Sequence, residues 1–134
     1  MIMNKIINIL IVDDVEFSRE LLRSAVLACI NDSKLPLEPN FFHVANGKNI
    51  LEIIEIKKIN IVYLDINLPD ESGLKLLKSI KQRFSSLTVV MVSGEGSSEN
   101  VMEAIKSGAN GFIVKPFNTG RINESLRNHL NRGE

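Results

Sequence analysis

Residues 6–14 read Ile-Ile-Asn-Ile-Leu-Ile-Val-Asp-Asp, an apolar run broken only by Asn8 that stops at two adjacent carboxylates. A strand with one wet face alternates polar and apolar residues, whereas a strand buried on both faces has no reason to alternate. Ile6 to Val12 is of the second kind. So are Ile61 to Leu64, Val89 to Val92 and Phe112 to Val114, with a weaker run at Phe41 to Val44. Burial on both faces belongs to parallel sheets covered by helices, so the first run already predicts a layered α/β chain.

The segments between these runs carry helical spacing. Leu22, Ala25 and Cys29 share one face of a first helix, and Ile50, Ile53 and Ile54 mark a second. Leu74, Leu77, Ile80 and Phe84 mark a third, while Val101 and Ile105 indicate a short fourth. Ser97 or Ser98 would cap the start of that helix and Gly108 would close it. Ile122, Leu126 and Leu130 recur every four residues on a fifth. Asn46-Gly47 resembles a hairpin turn, but the helical pattern after it favours a strand-to-helix turn. The segment Asn31 to Asn40, with Pro36 and Pro39, is expected to be the longest surface loop.

Five repeats of strand then helix, joined by right-handed crossovers, make a doubly wound, flavodoxin-like sheet with the expected order 2-1-3-4-5 and helices on both faces. Residues 1–134 form one expected domain, with a core over about 5–131. The 16 basic and 16 acidic residues balance, so no global field suggests nucleic acid or membrane as a partner. Absent tryptophan and a single tyrosine speak against a stacking platform for bases. The one cysteine, Cys29, rules out an internal disulfide and fits a small core residue in a reducing cytoplasm. The run at 6–12 is too short to cross a bilayer, and it ends in Asp13-Asp14 instead of a small-residue cleavage site.

Ligands of such folds gather beyond the carboxyl ends of the strands. Strand 1 ends in Asp13-Asp14, strand 3 in Asp65, strand 4 in Ser93 and strand 5 in Lys115-Pro116. In the expected order these four strands are consecutive, roughly 5 Å apart. Three carboxylates, a hydroxyl and an ammonium therefore converge on one edge. One acidic residue at a strand end is unremarkable; this combination is a site. Crowded carboxylates repel, raising their pKa values or demanding a cation, and a hard oxygen-seeking ion such as Mg²⁺ (or Mn²⁺) suits them. Asp65 can then act as a nucleophile toward phosphorus, with Lys115 and the metal neutralising phosphoryl oxygens and Ser93 donating to the attached group.

The stretches Ile9-Leu10-Ile11-Val12-Asp13-Asp14, Leu64-Asp65-Ile66-Asn67-Leu68-Pro69 with Ser72-Gly73, Met91-Val92-Ser93-Gly94 and Gly108 through Phe117 resemble, in order and spacing, the receiver family of two-component signalling. The resemblance covers nearly the whole chain. It implies that Asp65 is the phospho-acceptor, and that Asp13 and Asp14 are the acidic pair, Asp14 touching metal directly and Asp13 through water. Asn67 would lend its backbone carbonyl to the metal, Ser93 and Phe112 would form a switch pair, and Lys115 would sense phosphate. It also implies a cis Lys115-Pro116 bond. Phe112 replaces a tyrosine common in the family, so no phenolic hydroxyl takes part, and Gly94 stands where alanine is commoner. Asn67 and Glu95 occupy positions that tune phosphoryl lifetime in chemotaxis-type members.

Implied partners are a sensor histidine kinase or histidine phosphotransfer protein and a downstream protein or fused output domain. A surface of helix 4, strand 5 and helix 5 would meet the latter. No direct contact with nucleic acid or membrane and no turnover of an external substrate are expected; phosphorylation-dependent dimerisation is left open. Two other readings compete. A haloacid-dehalogenase-like phosphatase wants Asp-x-Asp after its first strand, where this chain has Asp13-Asp14-Val15-Glu16; a toprim domain wants a glutamate after strand 1 and a later Asp-x-Asp, where this chain has Asp65-Ile66-Asn67. A phosphorylation-independent scaffold of the same fold is opposed by the complete residue set. His43 and His129 lie on different elements, Gly94-Glu95-Gly96 is too little for a nucleotide fingerprint, and Arg121, Arg127 and Arg132 give the last helix a basic face expected to be solvated.

Overall fold

An all-apolar strand between two helical layers must send alternate side chains into two separate cores. β1 (Lys5–Val12) does so: Ile7, Ile9 and Ile11 enter one core, Leu10 and Val12 the other. The computed structural model describes residues 4–132. After β1 come α1 (Glu16–Asp32), β2 (Leu37–Val44), α2 (Ile50–Ile56), β3 (Ile61–Leu64), α3 (Gly73–Arg83), β4 (Thr88–Ser93), α4 (Ser98–Lys106), β5 (Gly111–Val114) and α5 (Thr119–Arg132). The strands form one parallel sheet in the order β2-β1-β3-β4-β5. This is the expected doubly wound order.

One face of the sheet is covered by α1 and α5, through Leu22, Val26, Cys29 and Ile30 on the former and Ile122 and Leu126 on the latter. The other is covered by α2, α3 and α4, through Ile50, Ile54, Leu76, Leu77, Ile80 and Ala104. Each fully buried leucine or isoleucine contributes about 1.5–3 kcal/mol relative to exposure, so the two layers together hold the sheet between them. Cys29 is buried, as its helical position implied, and its Sγ–H donates to the Thr119 carbonyl at 3.5 Å. Serine caps start two helices: Ser72 Oγ accepts from Leu74 N–H, and Ser97 Oγ from Asn100 N–H, each at 3.2 Å. Gly108 follows α4 with φ 99°, a backbone state that glycine adopts without strain. No described helix is long and apolar enough to cross a membrane.

Three expectations need correction. The loop over 31–40 is much shorter, because α1 runs to Asp32 and β2 begins at Leu37. Pro39 was the misleading signal. β2 is an edge strand, with one row of amide positions facing no neighbour, and proline is tolerated there. On α4 it is Ala104 that enters the core, while Ile105 is 54% exposed. Nor is Arg132 merely solvated: its Nη1 donates to Thr88 Oγ1 at 2.6 Å and its Nη2 to the Ser86 carbonyl at 3.3 Å.

Thr88 Oγ1 also lies 2.8 Å from His129 Nδ1, so the end of α5 is pinned to the start of β4 by a hydroxyl between a guanidinium and an imidazole. Burial pushes the His129 pKa below its ordinary value, and the charges of Arg132 and Lys5 push it further. The folded chain therefore holds a neutral imidazole that the unfolded chain would protonate on acidification. Stability from this group is present above the unfolded pKa and is lost as pH falls. Melting temperature should drop between about pH 7.5 and 5.5 by more in the natural chain than in His129→Gln. Parallel thermal melts check this, and equal slopes would contradict it.

Candidate functional site

The ladder bonds of the sheet run past the ends of the strands and carry the polar residues into register. Asp13 N–H donates to the Val44 carbonyl at 3.1 Å, Asp65 N–H to Val12 at 3.0 Å, and Lys115 N–H to Ser93 at 2.9 Å. Each strand-end residue is thus placed by its neighbour strand and not by a mobile loop. The sequence-predicted residues Asp13, Asp14, Asp65, Ser93 and Lys115 all arrive at the carboxyl edge, over β1, β3, β4 and β5.

Asp13, Asp14 and Asp65 each offer a carboxylate oxygen, and these oxygens lie within 4.8 Å of one another. Their burial differs: Asp13 is 5% exposed and Asp65 7%, whereas Asp14 is open to solvent. Lys115 bridges the two buried members, its Nζ donating to Asp13 Oδ2 at 2.7 Å and Asp65 Oδ2 at 3.2 Å. Asp13 Oδ1 accepts from Val15 N–H at 2.9 Å, and Asp65 Oδ1 from Asn67 N–H at 3.1 Å.

Electrostatically the two buried carboxylates part company. Burial pushes Asp13 up, but the bonds from Lys115, the Val15 N–H and Ser18 outweigh it, and its pKa ends below the ordinary value. Asp65 ends above: burial dominates, Asp13's charge adds to it, and Asn67 and Lys115 offset only part. Burial alone would lower Lys115, but its bonds to both aspartates raise it, so it stays a cation. One ammonium shared among three carboxylates leaves negative charge to spare, concentrated where Asp14 faces solvent. A hard divalent cation with oxygen ligands fits that donor set.

Ser93 is fully buried, and its Oγ accepts the Glu95 N–H at 3.1 Å. Phe112 is half-buried against the α2–α4 core, paired in register with Met91. The Lys115-Pro116 peptide is cis. Asn67 is exposed, and its Nδ2 donates to Glu95 Oε2 at 2.9 Å. Both positions stand out in the sequence, but their direct contact across two loops was not foreseen. Gly73, the first residue of α3, donates its N–H to the Ile66 carbonyl at 2.6 Å, and a Cβ built there would fall 2.0 Å from the Asp65 carbonyl oxygen. Only glycine lets α3 approach the Asp65–Ile66 peptide this closely. Two contributors went unseen in sequence: Ser18, and Arg19, whose Nη1 donates to the Asp13 carbonyl at 2.5 Å. Neither carries a periodic or motif signal.

The family model described as "Response regulator receiver domain" matches residues 9–127. The chain belongs to the response regulator receiver family. Among its relatives is the chemotaxis protein CheY of Listeria monocytogenes, 39% identical over 124 residues, covering 90% of this chain and 95% of that one. The CheY of Bacillus subtilis is 33% identical, covering 92% and 97%. Among solved structures, the signal receiver domain of a LuxO repressor protein from Vibrio parahaemolyticus superposes with a TM-score of 0.79 at 30% identity, covering 96% of this chain and 92% of that one. This receiver domain is therefore a component of two-component signalling, as its strand-end residues had indicated.

The asymmetry between Asp13 and Asp65 has a measurable consequence. In metal-free buffer near neutral pH, Asp65→Asn should melt at a higher temperature than the natural chain, because it removes a carboxylate whose ionised form the fold disfavours. That penalty is complete above the raised pKa of Asp65 and fades as pH falls from there toward the ordinary carboxylate value, so the gap should close over that interval. It should also shrink in millimolar Mg²⁺. Melting curves across pH, with chelator or with Mg²⁺, decide the matter; equal melting temperatures in chelator at neutral pH would count against it.

Proposed function

We propose that this receiver takes a phosphoryl group from a phosphohistidine on a sensor histidine kinase or histidine phosphotransfer protein onto Asp65. The single observation that carries the reading is the Lys115 bridge between Asp13 and Asp65 beside a third, open carboxylate. An Asp65 oxygen attacks phosphorus, the phosphorus–nitrogen bond of the phosphohistidine breaks, and its electron pair returns to the imidazole. Asn67 N–H holds Asp65 Oδ1, orienting the carboxylate for in-line approach. The Lys115 ammonium lies at hydrogen-bond distance from the nucleophile, where a phosphoryl oxygen would meet it. Asp13, Asp14, Asp65 and the Asn67 carbonyl would hold Mg²⁺ or Mn²⁺, which when bound neutralises phosphoryl charge.

Ser93 can turn its hydroxyl from Glu95 N–H toward the attached group, since a hydroxyl rotates to suit its partners. The half-buried Phe112 ring can follow, biasing two existing packings of the α4–β5–α5 surface. That surface exposes Met102, Ile105 and Val114, an apolar set suited to a downstream protein or output domain. The reaction is with the protein's own aspartate, so no external substrate is turned over. A cytoplasmic setting follows from the kinase partner.

Intact mass after incubation with acetyl phosphate, with and without Mg²⁺, tests the reading. One magnesium-dependent phosphoryl adduct is expected, absent from Asp65→Asn; no adduct under any condition would leave a phosphorylation-independent scaffold. Lys115→Ala should fold and retain some Asp65 phosphorylation, yet lose the phosphorylation-dependent gain in partner binding. Normal gain in a phosphorylated Lys115→Ala chain would remove the sensing role.

A further inference from the structure

Arg19 is placed oddly for an ordinary surface residue. It is the fourth residue of α1 (Glu16–Asp32), near an end where the helix dipole is positive and a cation is disfavoured. Its Nε is buried and, among the described residues, is the one buried side-chain nitrogen or oxygen without a hydrogen-bond partner. A buried unpaired donor is costly. Both penalties accompany a single close bond, Nη1 to the Asp13 carbonyl at 2.5 Å. Side chains on a helix lean toward its N-terminus, so a long residue one turn in can reach back to the strand end.

The atom that Arg19 holds is informative. The Asp13 carbonyl belongs to the peptide whose nitrogen is that of Asp14. Asp13 is otherwise fixed through its N–H to Val44, its Oδ1 from Val15 and its Oδ2 from Lys115. Of those bonds only the one from Val15 spans the next peptide, and none holds that peptide's carbonyl oxygen. Arg19 does, and Asp14 is the exposed member of the three carboxylates.

We propose that Arg19 is a positioning residue for the acidic pair: by holding the Asp13 carbonyl it orients Asp14 and so sets the affinity of the site for a divalent cation. The proposal rests on the phosphoryl-transfer reading above. Outer-shell groups that orient ligands commonly change metal affinity by about ten- to a hundredfold when removed.

The sign of the effect separates positioning from charge. A cation near the site repels Mg²⁺, so an Arg19 acting only by charge would, when neutralised, make Mg²⁺ bind more tightly. An Arg19 acting by its bond would, when removed, make it bind more weakly. Calorimetric titration with Mg²⁺ alone, on the full chain and on Arg19→Gln and Arg19→Lys, reads this directly. Expected is about a tenfold loss of affinity in Arg19→Gln, with Arg19→Lys between it and the natural chain. The half-saturating Mg²⁺ for acetyl phosphate labelling should rise in the same order, with more effect on that concentration than on the plateau. Melting temperatures in chelator show whether each variant is folded, and if Arg19→Gln is not, a weaker affinity in Arg19→Lys still supports the proposal. Affinity unchanged or tightened in a folded variant overturns it while the natural chain still labels at Asp65. A natural chain that neither binds Mg²⁺ nor labels overturns this proposal and the functional reading together.

Discussion

The contact on which the molecule turns is the Lys115 ammonium between Asp13 and Asp65. It joins residues 102 and 50 positions apart in sequence, so nothing local produces it. It exists because a parallel sheet in the order β2-β1-β3-β4-β5 brings the carboxyl ends of β1, β3 and β5 to one edge. The two hydrophobic layers hold that sheet, and the ladder bonds of Asp13, Asp65 and Lys115 to neighbouring strands hold the charged groups in register. Carboxylates so placed would repel without a cation. The fold therefore carries a built-in electrostatic debt that one lysine meets only in part.

The two ends of the sheet are fastened differently. At the amino end, Asn8 N–H donates to Asn60 Oδ1, Lys81 Nζ to Asn110 Oδ1 and the Leu87 carbonyl, and Arg132 and His129 both meet Thr88. In mid-sheet the Tyr63 hydroxyl pairs with Ser125, tying β3 to α5, with burial pushing the phenol well above its ordinary pKa. At the carboxyl end, outside the Lys115 bridge, the Asn67–Glu95 contact and the bond from Asn100 Nδ2 to the Glu95 carbonyl are solvent-facing. Exposed loop contacts open at lower free energy than buried ladders. A change of charge at Asp65 would thus be absorbed by the β3–α3 and β4–α4 loops while the opposite end stays fixed.

The fold and most of the site were legible because they rest on patterns with a physical period. Unalternating runs mean two-sided burial, and polar residues ending such runs in a doubly wound sheet must converge. What was not legible came from residues whose role depends on distant partners. Pro39 read as a loop because nothing local tells an edge strand from a turn. Ala104 is buried and Ile105 exposed on α4, a choice of helix face that two apolar residues over nine positions do not resolve. The Asn67–Glu95 contact and the Arg19 bond depend on side chains meeting across loops. Gly73 was quoted with its motif, but the close approach of α3 to the Asp65 carbonyl that forbids a side chain there is a fact of three dimensions.

The differing acidities of Asp13 and Asp65 follow from geometry more than from burial, which is nearly equal for the two. Asp13 has the shorter bond to Lys115, an amide on its other oxygen and Ser18 beside it, so its charge is well solvated by the protein. Asp65 has the longer bond to the same ammonium, and Asp13's charge beside it. Both carboxylates accept an amide on one oxygen and Lys115 on the other, but the bonds to Asp13 are shorter. The less strongly bonded carboxylate gains more from any cation that reaches it. The same lysine thus sets two like residues apart, one carboxylate lowered and one raised, and the raised one stands at the end of the central strand β3.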